Sequence, residues 1–300
     1  MLKTGRVLLS LAACLLVACS DSSSDDTGGR GQTGNGSGDG SNLGGGFDNG
    51  GGSNVGGAGN GGGSNGGDPT FYDGCAPKDA TMWFVVDGSG SMSDGFGASD
   101  RWTTLRAALM DPDGAVARLQ DVVDFGLVIY DGPIDIGAFL GVPTPGLCPQ
   151  LVTVPVAKMN HGAMSTAYPQ QPLGGSTPTH QGMEAARMEI AATLANPDAL
   201  SRSQYIILAT DGAPNALCDG APDAAAEVIQ QTTMALNEGI QTFVISLAGG
   251  DANLTAHLTD VANAGGTGTM PFVPDNKDAL VDTLRTIVGG ATGCDLLAPE

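Results

Sequence analysis

A run of apolar residues that ends in closely spaced oxygen-bearing side chains is the feature that most constrains the fold of this chain. Residues 80–87 (ATMWFVVD) have the composition of a strand buried on both faces. The sequence continues Gly-Ser-Gly-Ser, so Asp87, Ser89 and Ser91 follow one another at every second position. The glycines let the backbone bend tightly, and ligands bind beyond the carboxyl ends of parallel strands. The pattern predicts half of a site for a hard divalent cation.

Two further segments are candidates for the other half of that site. Residues 174–179 (GGSTPT) form a hydroxyl-rich turn before a helical pattern, and residues 206–212 (IILATDG) form a second apolar strand that ends in Thr-Asp-Gly. Each segment alone has a simpler interpretation, with Thr177 as a helix cap and Asp211 as a turn residue. A carboxylate at the end of a buried strand is costly without a partner, so the segments together favour a binding site.

In this order, and on these predicted elements, the three segments resemble a von Willebrand factor type A (vWA) domain with a metal-ion-dependent adhesion site. The resemblance covers about residues 75–294. It implies a bound Mg²⁺, with Mn²⁺ or Ca²⁺ as alternatives, and an open coordination position for an Asp or Glu carboxylate of a partner protein. Asp94 and Asp100 follow the first segment and are interpreted as solvated loop residues or as supports for the site. The implied ligands are Asp87, Ser89, Ser91, Thr177 and Asp211.

Predicted strands and helices alternate through the rest of this region. Residues 157–172 are expected to be mostly loop, and Ser99 or Asp100 is expected to cap the first helix. The alternation predicts an α/β fold, a doubly wound and mostly parallel sheet with one antiparallel edge strand and helices on both faces. Strands are expected at 80–87, 122–130, 151–156 (the edge strand), 204–210, 241–247 and 269–273, and helices at 100–109, 115–120, 179–194, 222–237, 254–262 and 277–288.

Residues 1–18 are typical of a bacterial lipoprotein signal peptide. Lys3 and Arg6 precede an apolar run at 7–17 that is too short to span a bilayer as a helix. The run ends in Leu-Val-Ala-Cys, which resembles a lipobox with Cys19 as the lipid-bearing residue. An ordinary signal peptide with an incidental cysteine is the alternative. The sequence therefore predicts a protein held to the bacterial cell envelope by a lipid anchor, and the serine after Cys19 favours the outer membrane, on its periplasmic face or at the cell surface.

Residues 19–74 are predicted to be a flexible tether. They are rich in Gly, Ser and Asn and cannot bury enough apolar surface to offset the entropy lost on ordering. A calcium-binding β-roll is the alternative, but its repeat register is not kept. The predicted organisation is thus a signal peptide (1–18), the tether (19–74), the vWA domain (75–294) and a short tail (295–300). The net charge of −20 argues against a nucleic-acid partner, because phosphate binding needs clustered Lys and Arg.

Four of the six cysteines fall in the predicted folded domain. An exported domain with four cysteines is expected to form two disulfides, and three pairings are open. We predict Cys75–Cys294, because the ends of a domain often lie close together. We also predict Cys148–Cys218, because both residues follow strands whose carboxyl ends lie at the edge of the sheet where the cation is predicted. Their spacing does not match that of a zinc site.

The function predicted from these features is a non-enzymatic, metal-dependent protein-binding or adhesion module. A structural envelope lipoprotein with a vestigial metal site is one alternative, and a hydrolase is another. Ser89 and the three histidines invite the comparison with a serine hydrolase, but no Gly-x-Ser-x-Gly motif surrounds the serine. A phosphatase with an aspartyl nucleophile would need Asp at position 89, and the chain has no Gly-Lys-Ser/Thr phosphate loop. The histidines His161, His180 and His257 are interpreted as surface or helix residues.

Overall fold

A five-stranded sheet forms the centre of the structure, a computed structural model that describes residues 80–132, 148–196, 202–215, 218, 220–268 and 270–293. All of these residues belong to one compact unit, Gly62–Glu300. The predicted signal peptide, tether and tail, with Cys19 and the Cys75–Cys294 pair, lie outside the described residues. Among the residues described, no helix is long and apolar enough to cross a membrane.

The elements alternate along the chain as the hydrophobic pattern predicts. The strands are β1 (Ala80–Asp87), β2 (Gly95–Phe96), β3 (Ser99–Asp100), β4 (Val123–Asp131), β5 (Gln150–Ala157), β6 (Ser203–Thr210) and β7 (Ile240–Ser246). The helices are α1 (Arg101–Met110), α2 (Ala115–Leu119), α3 (His161–Ala167), α4 (Thr179–Leu194), α5 (Ala224–Asn237), α6 (Ala252–Ala264) and α7 (Lys277–Thr292).

The strand order confirms the predicted fold class. The central sheet runs β5-β4-β1-β6-β7, and the two short strands β2 and β3 pair with each other as a separate hairpin. The strands β4, β1, β6 and β7 are mutually parallel, while β5 pairs antiparallel with β4 at one edge. Because β1 has β4 on one side and β6 on the other, it occupies the middle of the sheet and its end is enclosed.

Both faces of the sheet are covered, because alternate residues of β1 point to opposite faces. Phe84 and Val86 belong to one buried cluster, which includes apolar residues of α1, α2, α3 and α7. Trp83 and Val85 belong to a second cluster with residues of α4, α5 and α6. Every residue of β1 is buried, which explains why its sequence is a continuous apolar run.

One predicted loop is partly helical. The expectation of mostly loop at 157–172 is wrong for α3, which has a single buried residue, Met164, and so shows no clear helical period. Contacts with distant residues hold this helix in place. The Asn160 side chain donates to the carbonyl of Phe125 at 2.7 Å, and the backbone N–H of His161 donates to the side chain of Gln120 at 3.1 Å.

The strand predicted at 269–273 is wrong as well, since its described part forms only a single parallel bridge between Phe272 and Ile245. The backbone N–H of Phe272 donates to Val244 at 2.9 Å, and its carbonyl accepts from Ser246 at 2.8 Å. Pro271 precedes this bridge and Pro274 follows soon after it. The next residue in register to donate to β7 would be Pro274, which has no N–H, so the ladder does not continue beyond Phe272.

Candidate metal centre

The parallel pairing of β1 with β6 brings the two predicted acidic ligands to the same edge of the sheet. Asp87 is the last residue of β1, and Asp211 directly follows the last residue of β6. Val86 is paired with Ala209 in the register of the two strands. Both strands therefore end at the same level, and their carboxylates lie among the loops at the carboxyl edge.

Asp87 is completely buried, and protein donors satisfy one lone pair on each of its oxygens. Its Oδ1 accepts from the backbone N–H of Ser89 at 2.9 Å, and its Oδ2 accepts from the Thr210 hydroxyl at 2.7 Å. Burial and the neighbouring Asp211 raise the pKa of the Asp87 carboxyl to about 7, against the opposing effect of these hydrogen bonds. The role of Thr210 is not apparent in the sequence beyond its place in the Thr-Asp-Gly segment.

A chain of hydrogen bonds joins three other predicted ligands. The Ser89 and Ser91 hydroxyls lie 3.2 Å apart, and the Ser91 hydroxyl donates to Asp211 Oδ1 at 2.9 Å. Ser91 lies in a short 3₁₀ helix, Gly90–Ser93, and Ser89 is the residue just before it. Burial raises the pKa of the Asp211 carboxyl above its usual range, although the hydrogen bond from Ser91 works in the opposite direction.

The turn that carries Thr177 is fastened to the loop after β1 by backbone hydrogen bonds. The N–H of Gly174 donates to Gly88 at 3.1 Å, and the N–H of Gly90 donates to Gly175 at 3.0 Å. Thr177 is buried at this junction. The N-cap position of α4 is occupied by Pro178, the residue after Thr177.

Gly212 lies between two of the predicted hydroxyl ligands. A methyl group at its Cβ position would lie 3.7 Å from Ser91 Oγ and 3.7 Å from Thr177 Oγ1, which is ordinary van der Waals contact. The two hydroxyls thus approach the same point from different loops. Since Ser91 also contacts Asp211, this point lies beside a buried carboxylate.

The donor set fits a hard divalent cation. It consists of two carboxylates and three hydroxyls, all oxygen ligands of the kind that Mg²⁺, Mn²⁺ and Ca²⁺ accept. In the described part of the chain, no group of three or more His, Cys, Asp or Glu side chains is placed to hold a metal. A cation at this edge would therefore depend on the hydroxyls. The residues that would hold it are Asp87, Ser89, Ser91, Thr177 and Asp211.

Arg101 is a site residue that sequence reasoning missed. Its Nη1 donates to Asp211 Oδ2 at 2.6 Å, and the two groups form an ion pair. Nothing in the local pattern indicates this contact, because it joins residues 110 positions apart in the sequence. Of the two loop carboxylates, Asp94 is exposed and also pairs with Arg101. Asp100 caps α1 by accepting from the backbone N–H of Thr103 at 2.7 Å.

Asp131 is a second residue without a sequence signal. It is buried at the end of β4, and its Oδ1 accepts from the backbone N–H of Gly175 at 2.9 Å. Burial raises the pKa of this carboxyl to about 6. The backbone N–H of Gly132 donates to the carbonyl of Ser176 at 3.0 Å. These contacts fix the turn that precedes Thr177.

One disulfide is present among the described residues, between Cys148 and Cys218. It joins the segment just before β5 to the segment after β6, which are 70 residues apart in sequence. This pairing is the one predicted from the sequence. Cys218 lies seven positions after Asp211 in the sequence, so the bridge links this position to the segment before β5.

Comparisons with other proteins support the fold. No protein-family model matches the sequence, and no curated protein matches it either. The structure is similar to the pilus adhesin SpaC from Lactobacillus rhamnosus GG, with 16% identity, a TM-score of 0.52, and coverage of 74% of this chain and 31% of the adhesin. At this identity the similarity shows the fold alone, and the chain spans less than a third of the adhesin.

Two further structures have lower scores. The SpRpn10 VWA domain is 14% identical with a TM-score of 0.46, covering 68% of this chain and 93% of that domain. Proximal thread matrix protein 1 from the mussel byssus, in a structure with a zinc-occupied MIDAS motif, is 16% identical with a TM-score of 0.46, covering 72% and 46% of the two chains.

Proposed function

We propose that this chain is a metal-dependent protein-binding module that acts in adhesion at the bacterial cell envelope. The observation that carries the proposal is the convergence of Asp87, Ser89, Ser91 and Asp211 in one connected cluster at the carboxyl edge of a parallel sheet. Thr177 lies beside the same cluster, because its Oγ1 and Ser91 Oγ are each 3.7 Å from the Cβ position of Gly212. Such an edge is where sheets of this kind bind ligands.

The cation would supply Lewis acidity for a carboxylate of a partner protein. Mg²⁺ is the proposed ion, and Mn²⁺ and Ca²⁺ are alternatives. Three of the five proposed ligands are neutral hydroxyls, so the ion's charge is only partly compensated by protein groups. An Asp or Glu side chain of the partner would then form a charge-assisted contact at the open coordination position.

The place of action is proposed from the sequence and from the similarity to a pilus adhesin. A lipid on Cys19 would anchor the chain in the outer membrane, and residues 19–74 would let the folded domain reach a partner away from the surface. The net charge of −20 gives no basis for nucleic-acid binding. The proposed partner is therefore another protein, contacted at the envelope.

A second candidate is a structural lipoprotein whose metal site is vestigial. The ion pair between Arg101 and Asp211 favours it, because a guanidinium already offsets one of the two carboxylates. A hydrolase is less well supported, and we propose that the chain is not an enzyme. Two contacts argue against a serine–histidine pair. The Ser91 hydroxyl donates to Asp211, and His161 Nε2 lies 2.8 Å from the carbonyl oxygen of Met110.

Thermal unfolding of the full chain tests the proposal. The melting temperature should rise with Mg²⁺, Mn²⁺ or Ca²⁺ relative to EDTA, because an ion that binds only the folded state stabilises it. Asp87→Ala and Asp211→Ala should abolish the rise, while Asp124→Ala, which removes an aspartate paired with Arg202 away from the site, should keep it. If the melting temperature rises, the next experiment compares the partner proteins that the chain captures with and without chelator. A melting temperature that no cation changes would favour the vestigial site.

A further inference from the structure

The side chain of Arg101, the first residue of α1, contacts four acceptors at the edge of the candidate cation site. Its Nη1 donates to Asp211 Oδ2 at 2.6 Å and lies 3.1 Å from both the carbonyl oxygen of Ser91 and Asp94 Oδ2. Its Nε donates to the carbonyl of Leu247 at 3.1 Å. One guanidinium thus connects the segments that follow β1, β6 and β7.

Asp211 is shared between this guanidinium and a proposed cation ligand. Its Oδ1 accepts from the Ser91 hydroxyl at 2.9 Å, while its Oδ2 accepts from Arg101. A cation bound beside Ser91 would therefore approach Oδ1 of Asp211, while the guanidinium of Arg101 contacts Oδ2 of the same carboxylate. Arginine stays protonated in proteins, so two positive groups would share one anion and each would lower the affinity for the other.

Burial makes this competition effective. The Asp211 side chain is fully buried and that of Arg101 is 17% exposed, so water and salt screen their interaction far less than at the surface. Asp94, by contrast, is 68% exposed, and its charge is largely screened. The buried ionisable groups around the candidate ligands are therefore the carboxyls of Asp87, Asp131 and Asp211 and the guanidinium of Arg101.

This arrangement distinguishes two states of the pair. In the cation-free protein, the guanidinium offsets the charge of Asp211. A divalent cation at the same carboxylate would add two positive charges beside the guanidinium, and the two cationic groups would repel each other. A neutral side chain at position 101 would remove this repulsion.

We propose that Arg101 sets the cation affinity of this site: it stabilises Asp211 in the cation-free protein and opposes a divalent cation at the same carboxylate. The inference rests on the proposed function and adds to it a residue that is not among the implied ligands. Arg101 is a positioning residue, because it acts through Asp211 and through the three segments that it connects.

Manganese binding to the full chain tests this inference. Free Mn²⁺ is measured by electron paramagnetic resonance in titrations of the wild type, Arg101→Gln and Arg101→Lys, with thermal melts in EDTA in parallel. Arg101→Gln should bind Mn²⁺ about three- to tenfold more tightly, because the opposing charge is gone, and should melt at a lower temperature in EDTA. Arg101→Lys keeps the charge and should bind Mn²⁺ close to the wild-type affinity.

Two further variants keep the test decisive. Arg187→Gln is the matched control, because Arg187 pairs with Glu238 between α4 and α5 and should leave Mn²⁺ affinity unchanged. Arg101→Met retains the apolar stem of the side chain and replaces the Gln variant if that variant does not fold.

The outcomes separate this inference from the proposed function. Wild-type binding of Mn²⁺ with equal or weaker binding by Arg101→Gln would overturn the inference and leave the proposed function intact. Binding by Arg101→Gln without binding by the wild type would support the inference and overturn the proposed function. Failure of every variant to bind Mn²⁺ would overturn both.

Discussion

The middle of the central sheet and its carboxyl edge bury neighbouring residues of one strand in opposite chemical surroundings. Val86 and Asp87 are adjacent in β1, and both are fully buried. Val86 lies in an apolar cluster with Phe84 and Ile129. Asp87 lies against the Thr210 hydroxyl, the backbone of Ser89 and the negative charge of Asp211.

The apolar middle of the sheet stabilises the fold, whereas the polar carboxyl edge is the part that can bind a ligand. Burial of apolar side chains in the middle contributes about 25 cal/mol for each Å² removed from water. Burial of carboxyl groups at the edge costs free energy unless cations or hydrogen bonds offset it. The edge therefore depends on partners, one of which, Arg101, the chain itself provides. The comparison predicts that changes in the middle affect stability alone and changes at the edge affect the cation response.

The largest expected effect is a fall in stability with rising pH in the cation-free protein. The folded state raises the pKa of Asp87 from 3.8 to about 7, so it holds a proton that the unfolded chain has already released. The contribution of this proton to the free energy of unfolding is fully present below pH about 4. It is lost as the pH rises through about 7, and its size is on the order of a few kcal/mol. Urea denaturation in EDTA across this range measures it.

Two variants assign that pH dependence to the edge. Asp131, with its pKa raised to about 6, contributes in the same direction, so Asp87→Asn should flatten the profile in part. Asp124→Asn serves as the control, because Asp124 pairs with Arg202 away from the site, and should leave the profile close to that of the wild type. A stability that does not fall in EDTA would contradict the buried-charge account of the edge. Saturating Mg²⁺ should reduce the fall, because it favours the ionised carboxylates.

The next effect is confined to the middle of the sheet. An alanine Cβ at Gly126 in β4 would lie 2.6–2.8 Å from ring atoms of Trp83, which is fully buried. Gly126→Ala should therefore lower the free energy of unfolding by about 1–3 kcal/mol, the usual cost of overpacking a core. The rise in melting temperature with Mg²⁺ should remain the size of the wild type's. Loss of that rise in a folded Gly126→Ala protein would contradict the prediction that changes in the middle of the sheet leave the cation response unaffected.

Much of the middle could be predicted from the sequence, because apolar periodicity reports burial directly. The predicted strand at 80–87 matches β1, and the predicted helix at 179–194 matches α4. The failures lie where few residues are buried or where proline interrupts pairing. In α3 only Met164 is buried, and after Phe272 the next donor in register is a proline, so the described segment pairs through one bridge.

The edge could be predicted only in part. Asp87, Ser89 and Ser91 stand within five positions of one another, so their spacing is visible in the sequence. Arg101 and Asp131 are not visible, because each reaches the site through a contact between segments distant in sequence, 110 residues for Arg101 with Asp211 and 44 for Asp131 with Gly175. A spacing pattern reports neighbours along the chain, whereas the charge balance of a buried site depends on which distant groups the fold brings to it.

The smallest expected change in stability comes from a glycine at the edge. An alanine Cβ at Gly212 would lie at an ordinary contact distance of 3.7 Å from Ser91 Oγ and Thr177 Oγ1. Gly212→Ala should therefore fold with a free energy of unfolding within about 0.5 kcal/mol of the wild type. Its methyl group would occupy the space between two proposed ligands, so Mn²⁺ should bind roughly tenfold more weakly, at the lower end of the cost of altering groups around metal ligands.

Gly126→Ala is the matched control for Gly212→Ala, since both variants add one methyl group to a glycine of the same domain. Denaturation in EDTA and Mn²⁺ titration of both variants should give opposite patterns. Gly126→Ala should lose stability, and Gly212→Ala should lose cation affinity. The reason is that the methyl group meets a fully buried ring in one case and two hydroxyls beside a carboxylate in the other. Wild-type Mn²⁺ affinity in Gly212→Ala would mean that the space between Ser91 and Thr177 is not where the cation binds.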